Sequence, residues 1–314
     1  MKKSRFGKAI LFPLKHVYFY LLNKRNYYVG LKNPKKRIDE IHIKICGKSI
    51  NWDNPIDINE KINWLKINTD TSKWSVLADK YAVREFVEER GLGALLVPLY
   101  GHWMDANDID FDKLPNSFVL KDTHGSSTNI VVRDKSKIDT AAIRKTLQRW
   151  IKTKYGVAEG EVHYKNIVPS IIAEKLLVDN NCSFSESLVD YKVWSFDGKP
   201  YSIWACYNRT KEYAYVSQYD LNWNYHPECS RFTQHYRDGG NVVPKPSTLL
   251  QMLDAASILS KGFPEVRVDF YEVDGKLYFG EMTFTSAGGH MDFYTQEYLN
   301  ELGNQIVLPY GKKD

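Results

Sequence analysis

Two Asp-Gly pairs, Asp197-Gly198 and Asp274-Gly275, each lie between runs of alternating apolar residues. Such pairs supply the left-handed backbone of a tight hairpin, so each predicts two antiparallel strands joined by a short turn. The first pair joins residues 188–195 to 200–207, the second joins 266–271 to 276–283, and 213–218 offer another strand. Upstream, strands are expected at 95–100, at 118–121 and, as a continuous apolar run, at 171–177. Helices are expected at 59–65, at 72–90 with Thr71 or Ser72 as N-cap and Gly91 as stop, from 139 or 140 to about 152, and at 247–259. Helices mixed with successive hairpins specify α+β layers with largely antiparallel sheets rather than a Rossmann array.

The chain has 314 residues, 43% hydrophobic and 26% charged. It is long enough to bury a core and form a cleft, which excludes disordered, collagenous and small disulfide-framed classes. Cys46, Cys182, Cys206 and Cys229 form no C-x-x-C pair and have no histidine at metal spacing, so a reducing, cytoplasmic setting is expected. Charge is uneven: residues 1–37 hold eleven Lys or Arg and no acid, while the rest hold 32 bases against 38 acids. In this arm the bases interleave with the run AILFPLKHVYFYLL (9–22), broken by Pro13, Lys15 and His16. That run is shorter than the ~20 apolar residues a spanning helix needs, and no A-x-A site follows to make it a signal peptide. Its composition suits a segment peripheral at the inner face of the cell membrane, and equally a solubilising or core-packed arm. Nucleic acid is not expected as a partner.

Three segments carry candidate chemistry. In VRVDFY (266–271), alternation puts Arg267 and Asp269 on one strand face, and Glu281 pairs with Thr283 in the same way. A two-residue turn would set Asp269 opposite Gly280 and point Glu281 away. A three-residue turn would set it opposite Phe279, with Glu281 diagonal on the same face about 7–8 Å off. Two carboxylates so placed could bridge Mg²⁺ and phosphates, whereas an Arg267–Asp269 pair on a solvated face explains the spacing as well. Lys121 ends an apolar strand before His124-Gly125-Ser126-Ser127-Thr128-Asn129, a tip able to close over phosphate; a lysine covering apolar surface beside a turn fits equally. Glu174-Lys175-Leu176-Leu177 ends the apolar run at 171–177, where strand backbone and aliphatic side chains could hold a heterocycle.

The order and spacing of Lys80, Lys121 with its loop, Glu174, Arg267-x-Asp269 and Glu281 resemble those of ATP-grasp enzymes. Segments NEKINWLK (59–66), LADKYAVREFVEERG (77–91), LPNSFVLKDTHGSSTNIVVRDKSKID (114–139), HYKNIVPSIIAEKLL (163–177), DYKVWSFDGKP (190–200) and KGFPEVRVDFYEVDGKLYFGEMTF (261–284) are similar to the TupA-like branch, associated with teichuronopeptide, capsule and related surface polysaccharides. The resemblance implies two α+β subdomains gripping ATP between antiparallel sheets: a basic arm and leading segment at 1–58, a region with the phosphate lid at 59–170, and a subdomain with adenine strand and metal site at 171–314. It implies ATP phosphates at Lys121 and the tip His124, Gly125, Ser126, Ser127 and Thr128. Adenine and ribose would lie at Glu174, Lys175, Leu176 and Leu177, and Mg²⁺ or Mn²⁺ at Asp269, Glu281 and Thr283. Arg267 would stabilise the transferring phosphoryl group, with Lys80, Lys192 and Arg209 as further phosphate or acyl-phosphate contacts. Many relatives carry Gly-Gly where Ser127-Thr128 stand and Asn where Thr283 stands. The reaction implied is amide formation through an acyl phosphate, joining an amino acid or small amine to a uronic-acid or glutamyl carboxylate of a surface polysaccharide. A sugar phosphotransferase, a glycosyltransferase and a non-catalytic nucleotide-binding membrane-surface module stand as alternatives.

Overall fold

The computed structural model describes the backbone of residues 6–310 and the side chains of 17–310. The arm's first five residues and its side chains through His16 therefore lie outside the described residues. The chain begins with α1 (Phe6–Lys32), α2 (Pro34–Cys46), α3 (Ile58–Asn68), α4 (Ser72–Ala78) and α5 (Val83–Glu89). There follow β1 (Leu99–Trp103), β2 (Phe118–Asp122), β3 (Asn129–Val132), α6 (Thr140–Ile151) and β4 (Ile171–Glu174). The second half comprises β5 (Asp190–Phe196), β6 (Lys199–Tyr207), β7 (Ala214–Tyr219), β8 (Tyr236–Asp238), α7 (Leu249–Ser260), β9 (Val266–Val273), β10 (Lys276–Thr283) and α8 (Gln296–Asn304).

The strands form a four-stranded sheet, β1-β4-β2-β3, and a six-stranded sheet, β10-β9-β5-β6-β7-β8. Every pairing is antiparallel except that of β7 with β8. Both Asp-Gly pairs make two-residue turns: Phe196 pairs with Lys199 and Val273 with Lys276, with Asp197, Gly198, Asp274 and Gly275 all at positive φ. This is the turn whose twist matches that of the flanking strands.

Alternation divides the large sheet into two unlike faces. Val266, Val268 and Phe270 join one apolar cluster with Met252, Ala255 and Leu259 of α7, while Arg267 and Asp269 point to the opposite face. Each fully buried side chain of that cluster contributes roughly 1.5–3 kcal/mol, which offsets the cost of desolvating ions across the sheet.

Helices α1, α2 and α8 and strand β8 are not expected from the sequence, and three expected elements differ from their reading. The helix expected at 72–90 is broken, because the Asp79 carboxylate accepts from the amides of Tyr81 (2.7 Å) and Ala82 (3.1 Å) and so starts a new turn. Lys80, expected in mid-helix, instead donates its amide to the Thr123 carbonyl at 3.1 Å. The strand expected at 95–100 begins only at Leu99, since Pro98 lacks a donor for the ladder and Leu95 and Leu96 are buried in the large cluster. The strand expected at 171–177 stops at Glu174, beyond which the Lys175 amide bonds the Pro98 carbonyl at 2.9 Å.

Candidate functional site

A two-residue turn alone would turn Glu281 away from Asp269. A bulge at Gly280 cancels that slip, so that Glu281 faces Asp269 directly, Thr283 faces Arg267, and Lys192 of β5 flanks Asp269 from the other side. The bulge accounts for the glycine: a Cβ at residue 280 would lie 2.9 Å from the Asp269 carbonyl oxygen. The three-residue turn and diagonal spacing considered above are thereby corrected.

On this face the charged groups interlock. Arg267 grips Asp269 through two bonds of 2.7 Å, and Lys192 Nζ lies 2.5 Å from Asp269 Oδ2 and 2.6 Å from Asp190 Oδ2. Arg209 Nη2 closes on Asp190 at 3.0 Å. Arg267 also donates to Thr283 Oγ1 (3.2 Å) and Ser286 Oγ (2.9 Å), with Glu281 at 3.6 Å. Asp269 is 1% exposed, whereas the Glu281 side chain is 46% exposed. The Arg267–Asp269 pair is therefore buried, not on a solvated sheet face. Burial pushes the Asp269 carboxyl up, against the pull of Arg267 and Lys192. Burial also opposes the charges of Asp190 and Lys192, yet Lys192 and Arg209 hold Asp190 low, and Asp190 and Asp269 hold Lys192 high. Glu281 is likewise kept low: its seat in the cleft pushes it up, and Lys192, Lys80 and Arg267 outweigh that push.

The small sheet carries the second group. Lys121 Nζ is 2.7 Å from Glu174 Oε2, and Arg84 Nη1 is 3.2 Å from Oε1. The tip is shaped by Asp122, which accepts from the Gly125 amide at 3.0 Å and from the Thr128 hydroxyl. A Cβ at Gly125 would meet Asp122 Oδ2 at 2.7 Å and would displace the carboxylate that shapes the tip. Lys80 Nζ donates to the Gly125 carbonyl; burial lowers its affinity for the proton against the pull of Glu281 and Asp122. Ser126 and Ser127 are exposed, whereas His124 is buried and its Nε2 lies 3.0 Å from the Thr153 carbonyl. Lys175 is exposed, and Leu177 packs against an apolar cluster of Val97, just before β1, with Val273 and Tyr278 of the β9–β10 hairpin.

The sequence reading thus finds Lys192, Arg209, Arg267, Asp269, Glu281 and Thr283 brought together on one sheet and Lys80, Lys121, Glu174 and the tip around the other. It missed Asp190, Arg84 and Asp122. Asp190 precedes Lys192 with the same two-residue spacing that singled out Arg267 and Asp269, and could have been found by it. Arg84 has no such signal, because its partner lies ninety residues away.

Among solved structures, the chain is similar to D-alanine–D-alanine ligase from Bacillus anthracis, with 16% identity over 74% of this chain and 67% of that one and a TM-score of 0.43. It is also similar to L-amino acid ligase from Bacillus licheniformis, at 16% identity over 74% and 49% with a TM-score of 0.41. The match thus spans about half to two thirds of those chains. No curated protein matches the chain by sequence. Residues 60–307, most of the chain and both sheets, match the TupA-like ATPgrasp family, and the protein belongs to that family, with an ATP-grasp fold.

Proposed function

We propose that the protein is an ATP-dependent carboxylate–amine ligase. The reading is carried by the row Glu281, Asp269 and Lys192 across three adjacent strands, with Arg267 beside it. Across the two sheets six cations, Lys80, Arg84, Lys121, Lys192, Arg209 and Arg267, stand with five carboxylates, Asp122, Glu174, Asp190, Asp269 and Glu281, and this surplus suits a polyphosphate. Asp269, Glu281 and Thr283 offer only oxygen donors, the set that fits Mg²⁺ or Mn²⁺. Among the described residues no group of three or more acidic, histidine or cysteine side chains could hold a metal, so the remaining ligands would be phosphate oxygens and water. When bound, the metal would neutralise charge on the β- and γ-phosphates.

The chain's own groups would then act as follows. Lys80, Lys121 and the tip, with Gly125 at its base, bind phosphates, and residues 174–177 bind adenine and ribose. An acceptor carboxylate oxygen attacks the γ-phosphorus, the bond to the bridging oxygen breaks and ADP leaves, while Arg267 and Lys121 stabilise the equatorial oxygens. An amine attacks the acyl carbon, the carbon–oxygen bond to phosphate breaks, and the amine releases a proton as the amide forms. Lys192, buried, and Arg209, at the rim, would hold the acyl phosphate; closure of the tip would exclude water. The acceptor is a uronic-acid or glutamyl carboxylate of a bacterial capsular or cell-surface polysaccharide, joined to an amino acid or small amine, as the resemblance implies.

The test is Mg²⁺-dependent release of ADP from ATP over a panel of uronic-acid sugars and amino acids, with hydroxylamine present. ADP with hydroxamate supports the ligase. ADP with phosphosugar and no hydroxamate replaces it with a phosphotransferase, and tight ATP binding without turnover replaces it with a non-catalytic module.

The arm belongs to the same proposal, as a contact with anionic lipid at the inner face of the cell membrane. Val17, Tyr18, Phe19, Tyr20 and Leu21 are consecutive and each more than half exposed, which leaves every side of that helical turn largely apolar and open. Among the described residues no helix is long and apolar enough to cross a membrane. The contact of Gly30 with the Val157 carbonyl and the 2.6 Å bond from Arg37 to the Ala158 carbonyl anchor the end of the arm. A variant lacking residues 1–22 is therefore expected to lose binding to phosphatidylglycerol vesicles while keeping its ATP affinity. Equal vesicle binding by both forms would remove the membrane contact.

A further inference from the structure

Beyond Thr283 the chain runs through three successive left-handed residues, Ala287 (φ 48°), Gly288 (φ 66°) and Gly289 (φ 79°). Alanine keeps such backbone only where its surroundings over-determine it. Helix α3 supplies those surroundings. Asn59, Asn63 and Lys66 stand four and three residues apart on one helix face, and all three are buried. Lys66 Nζ donates to the Gly288 carbonyl at 2.9 Å, and Asn63 Nδ2 donates to the Gly289 carbonyl at 2.8 Å. Asn59 donates to the Met291 carbonyl (3.1 Å) and accepts from its amide (2.9 Å). On the other side Glu161 accepts from Thr285 Oγ1 at 2.5 Å, and a Cβ at Gly288 would lie 4.0 Å from Glu161 Cδ. Gly288 is thus clasped between a buried ammonium and a buried carboxyl. Gly289, at φ 79°, holds backbone that favours glycine, and a Cβ there would also come within 2.9 Å of Asn63 Nδ2.

Burying two amides and an amine on one helix face is costly unless each is paired, and a plain apolar face would serve packing alone. All three side chains reach residues 288–291, and Asn63 Nδ2 is in addition tied to the Asn59 carbonyl of its own helix at 2.8 Å. Ser286, adjoining the left-handed residues, accepts from Arg267 Nη1 at 2.9 Å, and Arg267 in turn fixes Asp269. We propose that the polar face of α3 is the positioning element of the site: Asn59, Asn63 and Lys66 hold residues 285–291 so that Ser286 orients the Arg267 guanidinium and, through it, Asp269. This also accounts for Asn59, Asn63 and Lys66 of NEKINWLK, while Glu60 accepts from the Asn51 and Ile56 amides and Lys61 donates to the Gly303 and Ile306 carbonyls. What Arg267 does once oriented rests on the proposed ligase function; the holding of the segment does not.

The experiment uses the full chain, with Lys66→Met, Ser286→Ala and the double variant. In hydrogen exchange, Lys66→Met is expected to speed the amides of Gly288, His290 and Met291 by about tenfold or more while those of Val266–Val273 stay unchanged. In urea unfolding, the two single changes in equilibrium constant are expected to fail to multiply, with the double variant off their product by about threefold or more. Unchanged exchange across 285–291, or costs that multiply, would overturn the proposal. If Lys66→Met does not fold, Asn63→Ser is read by the same two measurements. Where ATP turns over, Lys66→Met is expected to lower kcat about tenfold with the KM for ATP kept within about twofold, and Ser286→Ala to do the same. A loss confined to stability would make α3 merely structural. No turnover in the unmodified chain would instead overturn the ligase function and leave the exchange and unfolding results to decide this proposal.

Discussion

The two sheets hold their charged residues in different ways. On the six-stranded sheet the ions are locked into one another: Asp269 is shared between Arg267 and Lys192, and Lys192 between Asp269 and Asp190. On the four-stranded sheet the contacts are separable. Glu174 is held by Arg84 on one oxygen and Lys121 on the other, and Lys121 keeps 27% of its side chain exposed. The contrast follows from burial. A charge inside protein depends on its partner for solvation, so a buried network resists piecemeal change, whereas a charge at a cleft edge can exchange its partner for water or a phosphate. The row Asp190, Lys192 and Asp269 of the first sheet is built as a fixed bed, whereas Lys121 of the second, like Arg209 and Glu281 at the rim of the first, can respond to a ligand.

The sharpest way to break the comparison is Lys192→Met. It leaves Asp269 and Asp190 facing each other without the ammonium between them, and stability is expected to fall by about 3–5 kcal/mol in urea unfolding. A loss below about 1 kcal/mol would show that the large sheet is no more interlocked than the small one. Next in size is Gly280→Ala. A Cβ there meets the Asp269 carbonyl oxygen at 2.9 Å and Tyr271 Cε2 at 3.2 Å, so a cost of about 1–3 kcal/mol is expected, with loss of Mg²⁺-dependent ATP turnover as Glu281 leaves the shared face. Unchanged turnover would mean that the bulge does not set the site. The smallest effect on stability is expected from Lys121→Ala. Arg84 remains on Glu174, so unfolding should move by less than about 1 kcal/mol, while ATP affinity measured by calorimetry falls about tenfold through a lost charge-assisted contact. A stability loss as large as that of Lys192→Met would erase the distinction between the sheets.

Particular residues mark where the sequence could be read and where it could not. The hairpins at Asp197-Gly198 and Asp274-Gly275 were legible because Asp-Gly meets a local demand on φ, and the start of α6 was legible to within Asp139 or Thr140, of which the structure makes Asp139 the N-cap, its carboxylate serving an amide three residues on. The identities of Arg267, Asp269 and Glu281 as site candidates were legible too, since charges within apolar strands need a reason. Their meeting was not, because the turn chemistry alone would have sent Glu281 to the wrong face, and the bulge at Gly280 that returns it exists only in the pairing of two strands. Lys80 read as mid-helix until the Asp79 carboxylate broke that helix and the Thr123 carbonyl took the lysine's amide.

What the sequence by itself determined was therefore the local framework: the two Asp-Gly hairpins, strand alternation and the kinds of charge on each face. Tertiary structure alone decided which of those charges became partners. Arg84 reaches Glu174, Lys66 reaches Gly288, and Glu161 reaches Thr285 across 90, 222 and 124 residues of chain. A pair so distant in sequence leaves no period to read. It forms because each group, once buried, has no water left to bond and must take the polar partner that the packed fold brings beside it.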